Sequence, residues 1–267
     1  MDDPEFVYHY TTLGGLMGIL RNNFLEFHGS RYDSMNDPDD YIFARDIVMP
    51  MIKASFEGTD IPAEQTEDFA HYPYIVSFSE EDDDPFMWEH YGSKVCLKID
   101  RKAIKSYSTN KEKNLLYYFN KCSYIGEKEI ITKFIDNYAR MYDSDNICDR
   151  ADVACSFIKR KAFERENEWR MVSFNYEGIT VSKNSNNGFT IQDYELPDDR
   201  IEFELKDGNI RSYKIFQLPC ESLKGIIINE GDWSSYQRTR KQVELLLCKR
   251  NMSELLDNIT MTNKYPL

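Results

Sequence analysis

Ile201–Leu205 and Ile210–Phe216 are two apolar, β-prone runs with Asp207-Gly208 between them. Asp-Gly supplies the positive-φ backbone of a tight reversal, so the pair predicts a β-hairpin and antiparallel pairing. Further strands are expected at Phe24–Phe27, Tyr74–Ser79, Val95–Ile99, Trp169–Phe174, Lys224–Asn229 and Ile259–Thr262. Thr12 can cap a helix carrying Leu13, Leu16, Met17 and Leu20, the spacing of one helix face. Tyr41–Phe56 reads as a helix with Ile42, Ile47 and Val48 inward and Pro50 disturbing its end. Pro85 can open a short helix over Phe86–Tyr91. Glu127–Tyr142, Ala151–Phe163 and Trp233–Lys249 are the other expected helices. Strands crowd the middle and the C-terminal half, with helices at intervals, which is the pattern of an α+β domain. No G-x-G-x-x-G follows a strand and no Walker loop occurs, so the common nucleotide folds lack their fingerprints.

The 267 residues, 41% hydrophobic and 14% aromatic, are enough for a sizeable core and rule out wholesale disorder. They are read as a single domain, 1–267. Apolar runs such as Ile226–Ile228 are too short to cross a bilayer, and the acidic start Met1-Asp2-Asp3-Pro4-Glu5 lacks a signal-peptide core. A soluble, cytoplasmic protein without a membrane partner is expected. The net charge of −13 repels phosphate backbones, so general nucleic-acid binding is not expected. Lys159-Arg160-Lys161 and Arg238-Thr239-Arg240-Lys241 are the two basic runs, and each reads as a solvated helix face. The acidic run Glu80–Asp84 reads as a solvated loop without the spaced ligands of a calcium site. Six scattered cysteines form no C-x-x-C pair and four histidines show no metal spacing, so no metal is expected.

Four stretches carry residue types suited to chemistry. Tyr8-His9-Tyr10-Thr11-Thr12 places an imidazole, phenols and hydroxyls ahead of a helix N-terminus, which favours anions such as pyrophosphate. Its simplest reading is a helix cap with a satisfied histidine. Arg31-Tyr32-Asp33-Ser34-Met35-Asn36-Asp37-Pro38 has the composition of a turn; Arg31 and Asn36 could also face a ribose or base. In Ser77-Phe78-Ser79 the two hydroxyls share one strand face and can orient a polar ligand or line a wet surface. Trp88 and Tyr91 would share a helix face, as core aromatics or as a stack on a ring. In Glu166-Asn167-Glu168 the carboxylates would point to one side if the backbone is extended. Paired carboxylates suit cleavage of a glycosidic bond, and equally form a surface acid cluster balanced by Arg165 and Arg170.

Taken in order, these motifs resemble an uncharacterised bacterial domain-of-unknown-function family (two-nine-seven-one). The matching pieces are Tyr8-His9-Tyr10-Thr11, Asn36-Asp37-Pro38, Ser77-Phe78-Ser79, Met87-Trp88-x-x-Tyr91-Gly92 and Glu166-x-Glu168-Trp169-Arg170, with Lys224–Ile228 towards the C-terminus. The opening His-Tyr-Thr before a Leu-rich helix also resembles ADP-ribosyltransferase-type domains. That second resemblance implies an ADP-ribosyltransferase-like core of mixed or antiparallel sheet, with a helical insertion at about 101–163. It implies NAD as substrate, cleaved at the nicotinamide–ribose bond, with ADP-ribose passed to an unknown macromolecular acceptor or to water. It implies His9 holding a ribose, Ser77 and Ser79 on the middle strand, Glu168 as the catalytic carboxylate and Glu166 completing the pair.

On that resemblance, an aromatic among Tyr10, Tyr32, Trp88 or Tyr91 would stack on nicotinamide, and the pyrophosphate would lie at the N-terminus of the Leu13–Leu20 helix. A toxin or phage-defence setting is implied in the same way. Two rival readings stand beside it. One is a non-catalytic module that senses a nucleotide or a protein in the same cleft. The other is a metal-dependent nuclease using Glu166, Glu168 and Asp82–Asp84, which needs a lysine converging with the acids; no spacing in the sequence provides one.

Overall fold

The computed structural model describes residues 3–35, 37, 39–56, 71–108, 117–127, 129, 147–176, 179–183, 189–193, 201–206 and 208–262. The fold is α+β, built on a mainly antiparallel sheet. Its strands are β1 (Phe6–Thr11), β2 (Phe24–Arg31), β3 (His71–Ser79), β4 (Val95–Asp100), β5 (Tyr118–Lys121), β8 (Glu168–Tyr176), β11 (Ile201–Lys206), β12 (Asn209–Pro219), β13 (Leu223–Ile228) and β14 (Ile259–Met261). The spatial order is β11-β12-β2-β3-β1-β4-β13-β14, with β8 between β3 and β5. Within this sheet, among the described residues, only β13 and β14 run parallel. Two small ribbons lie apart: parallel β6 (Ser123–Ile125) with β7 (Ile158–Arg160), and antiparallel β9 (Ile179–Lys183) with β10 (Phe189–Asp193).

The expected hairpin is present, with Leu205 opposite Ile210 and Gly208 at φ +79°. Its second strand pairs along β2 from Tyr213/Ser30 to Pro219/Phe24. Gly29 of β2 leaves the space that the Phe216 ring of β12 fills, since a Cβ there would lie 2.2 Å from that ring. The main core, which includes Val7, Leu25, Leu97 and Ile226, is covered by helix α6 (Trp233–Lys249) through Tyr236, Val243 and Leu247. A second core joins α2 (Asp39–Phe56) to α5 (Ile147–Cys155) through Tyr41, Ala44, Val48, Ala151 and Cys155. The remaining helices are α1 (Leu13–Ile19), α3 (Pro85–His90) and α4 (Arg101–Ser108).

The feature that shapes the site is a fork in the sheet. One edge of β3 is paired with β8 over its whole length, from His71/Tyr176 to Ser79/Glu168. The other edge is shared. β2 pairs only at Ser30/Ile75 and Arg31/Tyr74, and β1 only at Tyr8/Ser79. Between those contacts Val76, Ser77 and Phe78 have no strand partner on that edge. His9 of β1, Phe27 of β2 and Phe78 of β3 fill the crotch, with ring centroids 5.0–5.6 Å apart.

Several sequence expectations are corrected. Ala151–Phe163 is not one helix: α5 ends at Cys155, β7 follows, and a 3-10 turn spans Lys161–Glu166. The Ser156 hydroxyl donates back to the Asp152 carbonyl and closes the helix, after which β-branched Ile158 enters a strand. The helix α2 ends at Phe56 as expected, but Pro50 lies inside it and does not mark its end. The stretch 101–163 holds three strands as well as helices among its described residues, and most of the helix expected at Glu127–Tyr142 lies outside them. Among the described residues no helix is long and apolar enough to cross a membrane.

Candidate functional site

A cavity of about 270 Å³ opens at the fork. β1 contributes Tyr8, His9 and Tyr10; β3 contributes Ser77 and Ser79; Tyr91 closes the end of α3. On the far wall the rings of His28 and Tyr213 stack at 4.0 Å, from adjacent strands β2 and β12. The floor is charged and holds Asp40, Lys159, Glu166 and Glu168.

His9 has a defined tautomer. Its Nδ1 lies 2.9 Å from the Ser77 carbonyl oxygen, which only accepts, so Nδ1 carries the proton and Nε2 a lone pair. This bond bridges the two arms of the fork where backbone pairing has stopped. Burial pushes the imidazole pKa below its ordinary value, against the smaller opposite effect of that bond. Neutral His9 therefore favours the folded state at pH values above the ordinary histidine pKa of about 6.5, and this contribution is lost as pH falls below it. His9→Asn keeps a donor for Ser77 but cannot titrate. Its unfolding free energy in urea is expected to fall less between pH 7.5 and pH 5.5 than that of the parent chain (estimated from a histidine pKa of roughly 6.5).

The floor is a buried ion network. Lys159 Nζ donates to Glu166 Oε2 at 2.7 Å and to Glu168 Oε2 at 2.6 Å. Arg170, 0% exposed, donates through Nε to Glu168 Oε1 at 2.9 Å, through Nη1 to the Ser156 carbonyl at 2.8 Å, and through Nη2 to Asp40 Oδ2. Burial alone would raise the Glu168 pKa, but Arg170 and then Lys159 outweigh it and bring it to about 2. For Glu166 burial prevails over Lys159, and its pKa is raised. Burial opposes the charge on Lys159, yet Glu168, Asp40 and Glu166 hold it firmly protonated. Two adjacent carboxylates are thus driven apart: Glu168 is a fixed anion held by cations, and Glu166 is closer to neutrality. Glu166 Oε1 and the Ser77 hydroxyl take no partner among the described residues.

The path to this convergence differs from the expected one. Glu166 ends the 3-10 turn, Asn167 is left-handed at φ 42°, and only Glu168 lies in β8. The carboxylates are not successive teeth of one strand; the turn brings both onto Lys159. Lys159 is no solvated helix residue. It lies in β7, 6% exposed, while Arg160 pairs with Asp37 at 2.6 Å. The balancing cation is Arg170, whereas Arg165 is exposed and 3.4 Å from Asp84. The acidic run is also more than a solvated loop. Asp83 is buried and accepts from Trp88 Nε1 at 2.7 Å and from Thr262, and Asp84 caps α3.

Seven of the residues given a binding or catalytic role from the sequence line this cavity: His9, Tyr10, Ser77, Ser79, Tyr91, Glu166 and Glu168. Tyr10 and Ser79 have structural bonds there. The Tyr10 hydroxyl donates to the Glu81 carbonyl at 2.8 Å, and the Ser79 hydroxyl donates to the Glu166 carbonyl at 2.8 Å. Thr11, Arg31 and Trp88 are not brought into the cavity. Thr11 packs on Gly15, where a Cβ would lie 2.1 Å from its Oγ1. Arg31 pairs with Asp33 at 2.9 Å. Trp88 is buried with its ring edge-on to Tyr10, so it shares no ligand-facing surface with Tyr91. Asn36 lies outside the described residues. The helix α1 has only seven residues, its cap Thr12 takes the Gly15 N–H, and none of its residues lines the cavity, so its N-terminus is not part of the fork.

Asp40, Lys159 and the His28–Tyr213 stack were missed by sequence reasoning. Lys159 stands seven and nine residues before the two glutamates, a spacing that becomes a signal only once the Lys161–Glu166 turn is known. A lysine does converge with the acids, as the nuclease reading requires, but Asp82–Asp84 does not join it. Among the described residues no group of three or more His, Cys, Asp or Glu is arranged to hold a metal.

No curated protein and no solved structure matches the chain. One family does, over under half of the length, in a segment that begins in α3, ends in β8 and includes Met87-Trp88, Tyr91-Gly92 and Glu166–Arg170. Residues 87–171 match the family described as Protein of unknown function (DUF2971), the uncharacterised family that the motifs resemble.

Proposed function

We propose that the fork binds NAD and cleaves it at the nicotinamide–ribose bond, in the manner of an ADP-ribosyltransferase, passing ADP-ribose to a macromolecule or to water. The observation that carries this reading is that His9, Ser77 and Glu168, from three separate strands, line one cavity. In this proposal the C1′–N bond breaks, its electron pair leaves on nicotinamide, and positive charge grows at C1′. Glu168, held ionised by Arg170 and Lys159, stabilises that charge. Glu166, its pKa raised and one oxygen uncommitted, takes the proton from the oxygen that attacks C1′. His9 Nε2 accepts from a ribose hydroxyl, because Nδ1 is committed to Ser77. The ADP-ribosyltransferase-like arrangement of the sheet is part of this proposal, as is the role of the fork as its cleft.

One observation favours a second reading, a non-catalytic nucleotide sensor: both oxygens of Glu168 are already engaged by cations. Titration calorimetry with NAD, followed by chromatography of the same sample, separates the two. Heat of binding together with stoichiometric or greater nicotinamide release supports the enzyme. Binding with NAD recovered intact supports the sensor, and no binding at millimolar NAD contradicts both.

A further inference from the structure

A second hollow, of about 500 Å³, lies between α1 and α6 on other residues than the fork. Leu13, Leu16 and Met17 form one wall, and Val243, Leu245 and Leu246 the other. Met17 is 63% exposed and Leu245 55%, although both helices bury their inner faces. Helical spacing explains the second wall. Arg238, Gln242, Leu245 and Lys249 follow one another by four, three and four residues and share one face of α6. At 1.5 Å per residue, Arg238 and Lys249 stand about 16 Å apart along the axis, bracketing the apolar floor.

The charges at this groove are unlike those beside it. Arg240 and Lys241 on the same helix are paired with Glu244, at 2.9 and 3.7 Å. Arg238 and Lys249 take no salt bridge among the described residues, although Arg238 acts on the exposed Asp232 at the helix cap across a longer distance. On a chain of net charge −13 an acidic ligand is repelled overall. An apolar channel with an exposed cation outside any salt bridge at each end is where such a ligand is locally favoured.

We propose that the α1–α6 groove docks an acidic amphipathic helix from a partner protein. Its apolar side chains, spaced i, i+3, i+4, i+7, would lie against Leu13, Met17 and Leu245, and an acidic residue near each end would meet Arg238 and Lys249. Small apolar knobs in the groove supply affinity, and the end charges set direction and exclude basic helices. This surface is independent of NAD cleavage, so it stands or falls separately from the fork.

The test is selection from a displayed library of helix-forming peptides of about 15 residues, randomised for charge at both ends and for apolar residues along one face. Clones eluted from the whole protein are expected to be enriched in Asp and Glu at the ends. Their binding in fluorescence anisotropy should weaken about tenfold or more in Met17→Ser and in the double variant Arg238→Glu, Lys249→Glu. The same double variant should instead select Lys-ended peptides. All these side chains lie at the surface of the groove, and circular dichroism checks that the variants stay folded. Four results would overturn the proposal: no clone above background, end charges unselected, binding indifferent to these variants, or the groove occupied by a second copy (self-association lost in Met17→Ser) or by anionic vesicles instead.

Discussion

Arg170→Met is expected to destabilise the protein by about 3–5 kcal/mol, because it leaves the buried carboxylates of Glu168 and Asp40 with Lys159 as their one remaining cation among the described residues. Arg170 is the one fully enclosed guanidinium of the network described above, and it ties Glu168, Asp40 and the Ser156 carbonyl into a single unit. Asp40 already has Oδ1 buried without a hydrogen-bond partner, so loss of Arg170 leaves both its oxygens poorly served. The pH dependence should weaken. In the parent chain the lowered Glu168 pKa contributes stability above the ordinary carboxylate range, and that contribution is lost as pH falls towards about 2. Without Arg170 only Lys159 opposes the effect of burial, so the Glu168 pKa rises and its contribution to stability shrinks. Urea unfolding should show the deficit of Arg170→Met shrinking as the pH falls from 7 towards 4 (a window set by an ordinary carboxyl pKa of roughly 4). Adding Glu168→Gln should restore part of the lost stability. Strictly additive single effects would contradict the shared network.

Glu168→Gln is expected to lower nicotinamide release by about 10²–10³-fold, measured at a temperature where circular dichroism shows the variant folded. Glutamine keeps the shape and removes the anion that the proposal sets against the charge at C1′. Glu166→Gln should act differently. With a raised pKa in the parent, Glu166 limits the rate on the acid side, and activity should climb with pH as it ionises. In Glu166→Gln that acid limb should vanish along with most of the rate. Steady-state kinetics over a pH series measures both effects. A Glu168→Gln enzyme as fast as its parent would remove Glu168 from the chemistry.

Local signals and long-range ones were unequally legible in the sequence. The Asp207-Gly208 hairpin, the Thr12 cap, the Pro85 helix start and α6 follow from residues within a few positions of each other, and all are present. The strand β7 and the turn after it were hidden because Ala151–Phe163 has apolar residues at a helical period, while the backbone switches at Ser156 through a side-chain bond that periodicity does not register. Lys159 was misplaced for the same reason: a lysine between Ile158 and Arg160 looks solvated unless the two glutamates beyond the turn are known to face it. Trp88 and Tyr91 seemed to share a face, but Tyr91 is the cap residue of α3, outside its regular spacing. The fork itself has no sequence signature. It arises because β1 and β2, close in the chain, each claim one end of the same edge of β3.

The most direct test of the central claim is a crystal structure with a non-cleavable NAD analogue. The account predicts the nicotinamide ribose in the opening between β1 and β3, with a hydroxyl in hydrogen-bond reach of His9 Nε2 and C1′ facing the Glu166 and Glu168 carboxyls. An analogue seated away from the fork, or a fork left empty at saturating analogue, would contradict it.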